Sequence, residues 1–313
     1  MKRNIRLVCI SFAFALIFLW QCLTASSQEL KLLPGEVLPE LKDTKVNVKT
    51  SLDEASGIFY YSYKVTNSRS STGEIWLFGV DITRPTTTLD PGSDGITNGQ
   101  RFLRHGSAFA ISNAGLLLVP VGLVSPSNWT SSVTVRGTAG WGSSDAPFNI
   151  RPGQSLNGFE ITSRGLPGIR TVSVEPRFNQ TPVEEATAED EKRIKEIENA
   201  IVVTLKSVGP TAPPKDFVAI EFLNYLISLV YDSHTNGWIK PDGIRQSLLA
   251  RLINAKRQLE KGQNKPAKNI LKAFLNEVQA TSCQELTCRG NKPLTSEAYA
   301  LLFFNGEFLH DRL

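Results

Sequence analysis

Two hydrophobic periods follow one another along the chain. From Lys45 the period is two. Val46-Asn47-Val48-Lys49-Thr50 alternates as a half-buried strand should. Ile58 to Thr66 is rich in aromatic and β-branched residues and stops at Asn67-Ser68. Glu74 to Ile82 predicts another strand, and the polar turn Asn67 to Gly73 predicts that these two form a hairpin. Leu116 to Val124 is apolar but broken by Pro120 and Gly122. Ser131 to Arg136 alternates, and Gly137, Gly140 and Gly142 follow around Trp141. Asn149 to Ile161 reads as turn then strand. Pro167-Gly168 predicts a further turn, and Ile169 to Pro176 a last strand. About seven short strands separated by turn signals predict an antiparallel sandwich.

Glu184 to Glu198 is a charged stretch that fits either an exposed helix or a solvated linker. Asn199 to Lys206 adds one more strand signal, and Gly209-Pro210-Thr211-Ala212-Pro213-Pro214 has the composition of a stiff linker. Beyond it the period becomes helical. Phe217, Ile220, Leu223, Ile227 and Val230 fall mostly on one face. Leu248, Leu249, Leu252, Ile253 and Leu259 mark a second helix, and Gly262 suits its left-handed stop. Asn264 and Pro266 suit the start of a third, whose core face is Ile270, Leu271, Phe274, Leu275 and Val278. Thr295 can cap a fourth that carries Tyr299, Leu302, Phe303 and Leu309. The expected fold class is an all-β sandwich-like N-terminal domain followed by a small all-α helical bundle. The expected boundaries are a lead-in at 28–44, the β domain at 45–208, a Pro-rich linker at 209–216 and the bundle at 217–313.

The apolar run Leu7 to Trp20 belongs to neither pattern. Met1-Lys2-Arg3-Asn4-Ile5-Arg6 precedes it with three cations and no acid. The run suits a signal h-region and is short for a transmembrane helix, which needs roughly 20 apolar residues. Ala25 and Ser27 fit the small positions before a signal-peptidase cut, so a signal peptide is expected over 1–27. The alternative is an uncleaved anchor. Lipid attachment at Cys22 is opposed by Gln21 and Trp20 before it. No later stretch reads as a span, because Ile220 to Tyr231 is short and interrupted by Asn224, Tyr225 and Ser228. The expected location is therefore periplasmic or extracellular, with envelope association open.

The signal changes how charge and cysteines are read. The formal charge of +4 includes Lys2, Arg3 and Arg6, so removing those three leaves about +1, which gives no argument for a nucleic-acid partner. Of four cysteines, Cys9 and Cys22 leave with the signal. In an exported chain the remaining pair, Cys283 and Cys288, reads most simply as a disulfide. The alternative is half of a metal site, but no second Cys or His pair stands at ligand spacing.

The helical segments also carry a resemblance. Gly237-Trp238-Ile239, Ser247-Leu248-Leu249, Leu252-Ile253-Asn254-Ala255, Leu259-Glu260-Lys261-Gly262, Ala267 through Leu271, Phe274 to Val278 and Leu294 onward resemble a FIMAH-type module. That module is a small helical unit at the ends of exported bacterial proteins, and the match covers about residues 215–313. Its residues are core and cap positions, so the resemblance implies a fold and an exported bacterial context, not a catalytic site. Cys288-Arg289-Gly290-Asn291-Lys292 departs from the module's usual glycine-lysine turn. Ile150-Arg151-Pro152-Gly153-Gln154-Ser155-Leu156-Asn157-Gly158-Phe159 is similar to a segment of exported bacterial β domains of unassigned role.

Candidate chemistry is sparse. Of three histidines, His105 in Arg104-His105-Gly106 and His310 beside Asp311 echo histidine phosphatases, but the further arginine and the α/β sheet of that family are missing. No Gly-x-Ser-x-Gly elbow, phosphate loop or dinucleotide fingerprint occurs. Asp90, Asp94 and Asn98, with Gly92 and Gly95 between them, could line a calcium site, although Arg101 stands where an EF-hand needs a carboxylate. No other cofactor is implied. Paired carboxylates for glycoside hydrolysis would have to come from Asp53, Glu54, Glu74 and Asp81. Tyr61, Tyr63, Trp129 and Trp141 are candidates for an aromatic ligand-binding platform, with half-core strands as the plainer reading. Arg245, Arg251, Lys256, Arg257, Lys261, Lys265, Lys268 and Lys272 form a basic stretch that suits a solvated face or docking to an acidic surface. The expectation is an exported, non-enzymatic interaction or envelope-associated protein, whose partner is an envelope component, a carbohydrate or another protein. The alternative is a hydrolase of polysaccharide or another envelope polymer, with its site in the β domain.

Overall fold

A computed structural model describes residues 30–83, 119, 121–134, 137–179, 187–214, 216–288 and 290–313. The signal-peptide reading, the calcium candidates Asp90, Asp94 and Asn98, and His105 lie outside the described residues. The strands are β1 (Lys45–Asp53), β2 (Ile58–Thr66), β3 (Ile75–Asp81), β4 (Gly122–Val124), β5 (Trp129–Val133), β6 (Thr138–Ser143), β7 (Ser155–Ser163), β8 (Leu166–Pro176) and β9 (Val203–Thr211). They form two antiparallel sheets, in the orders β1-β2-β7-β4 and β5-β6-β3-β8-β9. Alternation decides which side chains enter the core. On β2, Phe59, Tyr61, Tyr63 and Val65 are buried, while Tyr60, Ser62 and Lys64 are half-buried.

Three local expectations fail for physical reasons. β2 and β3 are not a hairpin: β2 pairs with β1 and β7, and β3 with β6 and β8. The segment between them crosses from one sheet to the other. Asn67 holds that corner, its buried amide donating to the carbonyls of Gly73 at 2.8 Å and Ile150 at 2.9 Å. Pro167-Gly168 is not a turn but part of β8, facing Pro210 and Gly209 of β9. Likewise, Gly209-Pro210-Thr211 is the end of β9 and not the start of a linker. Proline is tolerated here because β9 is the outermost strand, and Pro167 lies beyond the part of β8 that pairs with β3. Glycine is required at 168, where a Cβ would overlap the Thr211 side chain.

The helices are α1 (Ala188–Ile201), α2 (Ala219–Thr235), α3 (Asp242–Glu260), α4 (Asn264–Thr281) and α5 (Ser296–Tyr299). A π-helical turn (Ala300–Phe304) then leads into α6 (Asn305–Asp311). The charged stretch thus becomes helix α1. Thr187 caps it, its hydroxyl accepting from the Asp190 N–H while the Asp190 carboxylate accepts from the Thr187 N–H and hydroxyl. Residues 30–37 and most of α1 make one compact unit, in which Arg193 pairs with the buried Glu36.

The second unit, Leu38–Asn179 with Glu198–Leu313, contains both the sandwich and the C-terminal helices. One continuous hydrophobic cluster runs through it, from Val48, Tyr61 and Trp141 to Leu226, Leu252, Phe274 and Leu302. α3 stops as its sequence predicts. Gly262 takes φ +68°, and the N–H groups of Gly262 and Gln263 reach back to the carbonyls of Leu259 and Gln258. Cys283 and Cys288 are joined as a disulfide, with Cα atoms 5.6 Å apart, between α4 and α5. Among the described residues no helix is long and apolar enough to cross a membrane.

Candidate functional site

The four aromatic candidates are interior residues. Tyr61, Tyr63 and Trp141 are fully buried and Trp129 is 5% exposed. Trp141 of β6 stacks on Phe78 of β3, and both meet Phe159 of β7 edge-on, so rings from the two sheets interlock. Trp129 packs edge-on to the same Phe159 at 5.0 Å. Each polar tip is occupied by backbone. The indoles of Trp129 and Trp141 donate to the carbonyls of Phe148 and Val124, and the hydroxyls of Tyr61 and Tyr63 to those of Gly165 and Val208. No face of these rings forms an exposed platform. Strand parity explains this: Tyr61 and Tyr63 share the inner face of β2 with Phe59 and Val65.

Arg170 of β8, also buried, was not singled out by sequence. Its guanidinium donates to the carbonyl of Pro210 through Nε and Nη2 and to that of Thr83 through Nη1. Tyr61, Tyr63 and Tyr225 surround it. Burial pushes all three phenols up, Tyr225 to about 12, and pushes Arg170 down against the pull of Asp81. The arrangement satisfies backbone carbonyls where β8, β9 and the end of β3 meet. A parity signal was available: Arg170 falls on the same face of β8 as Leu166, Val172 and Val174, all of which are buried.

A second unforeseen residue, Glu297 of α5, marks the joint between sandwich and helices. It is 2% exposed, and its carboxylate accepts from the backbone N–H of Val48 at 3.2 Å and from the Asn47 amide at 3.5 Å. Strand β1 is an edge of its sheet, so Glu297 covers the Val48 N–H, which an open edge would offer to other chains. Nearby, Phe59 meets Phe304 edge-on at 5.3 Å, and the Asn305 amide donates to the carbonyls of Pro167 and Leu301. Around the disulfide, Lys49 pairs with Glu285 at 2.8 Å and Lys64 donates to Thr287. In sequence, Glu297 looks like an ordinary first-turn acid of a helix, which hides its role.

Three of the four carboxylates considered for hydrolysis, Asp53, Glu74 and Asp81, have local partners. Asp53 sits in the β1–β2 turn, where bonds from Ser56 and the Ala55 N–H hold its carboxyl below the usual range. Glu74 binds Asn149 and Arg151, and Asp81 binds Thr83. His310 lies 3.2 Å from the carboxylate of its neighbour Asp311. Among the described residues, no three His, Cys, Asp or Glu side chains cluster as metal ligands.

The basic stretch divides in two. Arg245 pairs with Asp242 and Arg251 with Glu277, whereas Lys256, Arg257, Lys261, Lys265, Lys268 and Lys272 have no ion pair among the described residues. These six flank the turn of the α3–α4 hairpin, with Arg257, Lys261, Lys265 and Lys272 exposed and Lys256 and Lys268 half-buried, and residues 260–266 are all exposed. No family model matches the chain, and no curated protein matches it.

Proposed function

We propose that this chain is an exported, non-enzymatic interaction protein that associates with the cell envelope, the β sandwich and the helical region acting as one rigid body. The observation that carries this reading is the buried joint around Glu297, Phe59 and Asn305. It fastens the helices to the sheet edge, so sandwich and helices would meet a partner as one body. The FIMAH-type resemblance and the signal-like N-terminus support export, and the disulfide suits an oxidising compartment. The helical region serves attachment. The test pairs retention of the purified chain on isolated envelope and cell-wall glycan with a hydrolysis screen on the same material. Retention without turnover is expected. Turnover that persists through purification and disappears on Glu74→Gln or Asp81→Asn would replace this reading with that of a hydrolase.

A further inference from the structure

The hairpin tip is basic beyond what folding requires. Six cations, Lys256, Arg257, Lys261, Lys265, Lys268 and Lys272, stand against the single acid Glu260 over that span. Lys265 and Lys268 lie in the first turns of α4, which contain no acid, so they oppose the helix dipole. Elsewhere on the same helices the cations are paired, Arg245 with Asp242 and Arg251 with Glu277. Arg257 and Lys261 suit the C-terminal end of α3, but neither helix stability nor internal pairing accounts for Lys265, Lys268 and Lys272.

We infer that the α3–α4 tip is a docking surface for an anionic phospholipid bilayer, read through its phosphate headgroups. Its shape suits a plane, not a strand. Two rows of cations flank a turn whose residues 260–266 are all exposed, so the tip is convex. Arg257 in the last turn of α3 and Lys261 at its C-cap lie one turn apart, and Lys265, Lys268 and Lys272 share a stripe on α4. Five of the six are lysines, which act as hydrated point charges and suit a diffuse anionic field better than fork-like recognition of one group. No aromatic residue occurs between Arg251 and Ala273, so bases and sugar rings find no stacking partner there. Ile253, 38% exposed, lies one turn before Arg257. The contact is therefore electrostatic and superficial. Each cation adds to it, and salt weakens it as the Debye length shrinks from about 10 Å at 0.1 M to about 3 Å at 1 M.

This inference rests on the attachment role proposed above. It is tested by co-sedimenting the full chain with phosphatidylcholine vesicles with and without phosphatidylglycerol. Binding is expected only with phosphatidylglycerol, and it should fall as salt rises. The variant Lys261→Glu/Lys265→Glu/Lys268→Glu should lose at least about tenfold in partitioning. A control of equal charge change at exposed sites elsewhere, Lys45→Glu/Arg177→Glu/Lys240→Glu, should stay within about twofold of the parent. Equal binding to neutral vesicles, or equal loss in the control, overturns the docking surface. Binding of soluble polyphosphate with no binding to vesicles overturns the bilayer in favour of a polymer. If vesicles fail but isolated envelope still retains the chain, the tip assignment falls and the attachment reading stands.

Discussion

A buried carboxylate that bonds a backbone N–H differs energetically from one paired with a cation. Glu297 accepts from Val48 and Asn47 with no lysine or arginine among these partners, so its value lies in satisfying an edge strand. Removing its acceptor leaves the Val48 N–H buried and unpaired, a cost of about 1–3 kcal/mol. Glu297→Leu is therefore expected to lower unfolding free energy by that amount in urea titration, and Glu297→Gln, which keeps a carbonyl acceptor, to lower it by less. Equal losses in the two variants would assign the effect to packing. At this scale the sequence was only partly legible. The parity of β2 places Tyr61 and Tyr63 inside, but nothing local distinguishes Glu297 from a solvated first-turn acid, because its partner lies 249 residues away in the chain.

At the scale of elements, the short ring closed by Cys283–Cys288 lies where the α4–α5 connection meets β1 and β2. Lys49 and Lys64 reach Glu285 and Thr287 within it. Closing so short a loop contributes about 2 kcal/mol through chain entropy. Cys283→Ser/Cys288→Ser is expected to lower the unfolding free energy by about that much while leaving helix content unchanged by circular dichroism. A loss of helix would mean that the ring is needed to form α5. Elements with a clean period were legible in full: β2 runs from Ile58 to Thr66 as its pattern predicts, and α3 ends at its glycine. Pro167-Gly168 and Gly209-Pro210-Thr211 carry turn and linker signals, because proline and glycine punctuate most chains, yet both lie within strands. Here an outermost strand tolerates the prolines, and a close side-chain approach requires the glycine at 168.

At the scale of the whole molecule, a stiff linker between independent domains would allow separate unfolding, whereas the observed core spans sheet and helices. Tyrosine ionisation can tell the two apart. Tyr61 and Tyr63 lie in the sandwich, and Tyr225 and Tyr299 in the helical region. Burial raises all four phenols above their ordinary value of 10.0, the last two to about 12. A phenol that ionises less readily when folded contributes stability fully below its unfolded pKa, and that contribution is lost as pH rises through the folded value. Stability should therefore decline above about pH 10. If sheet and helices share one cooperative core, the tyrosinate absorbance of these four phenols, read in the background Tyr60→Phe/Tyr231→Phe, should rise in a single step together with the loss of helical circular dichroism. Two steps, with helical signal lost before the sandwich tyrosines ionise, would show that the Glu297 joint does not bind the regions energetically. The rigid body on which the proposed envelope attachment depends would then fail with it.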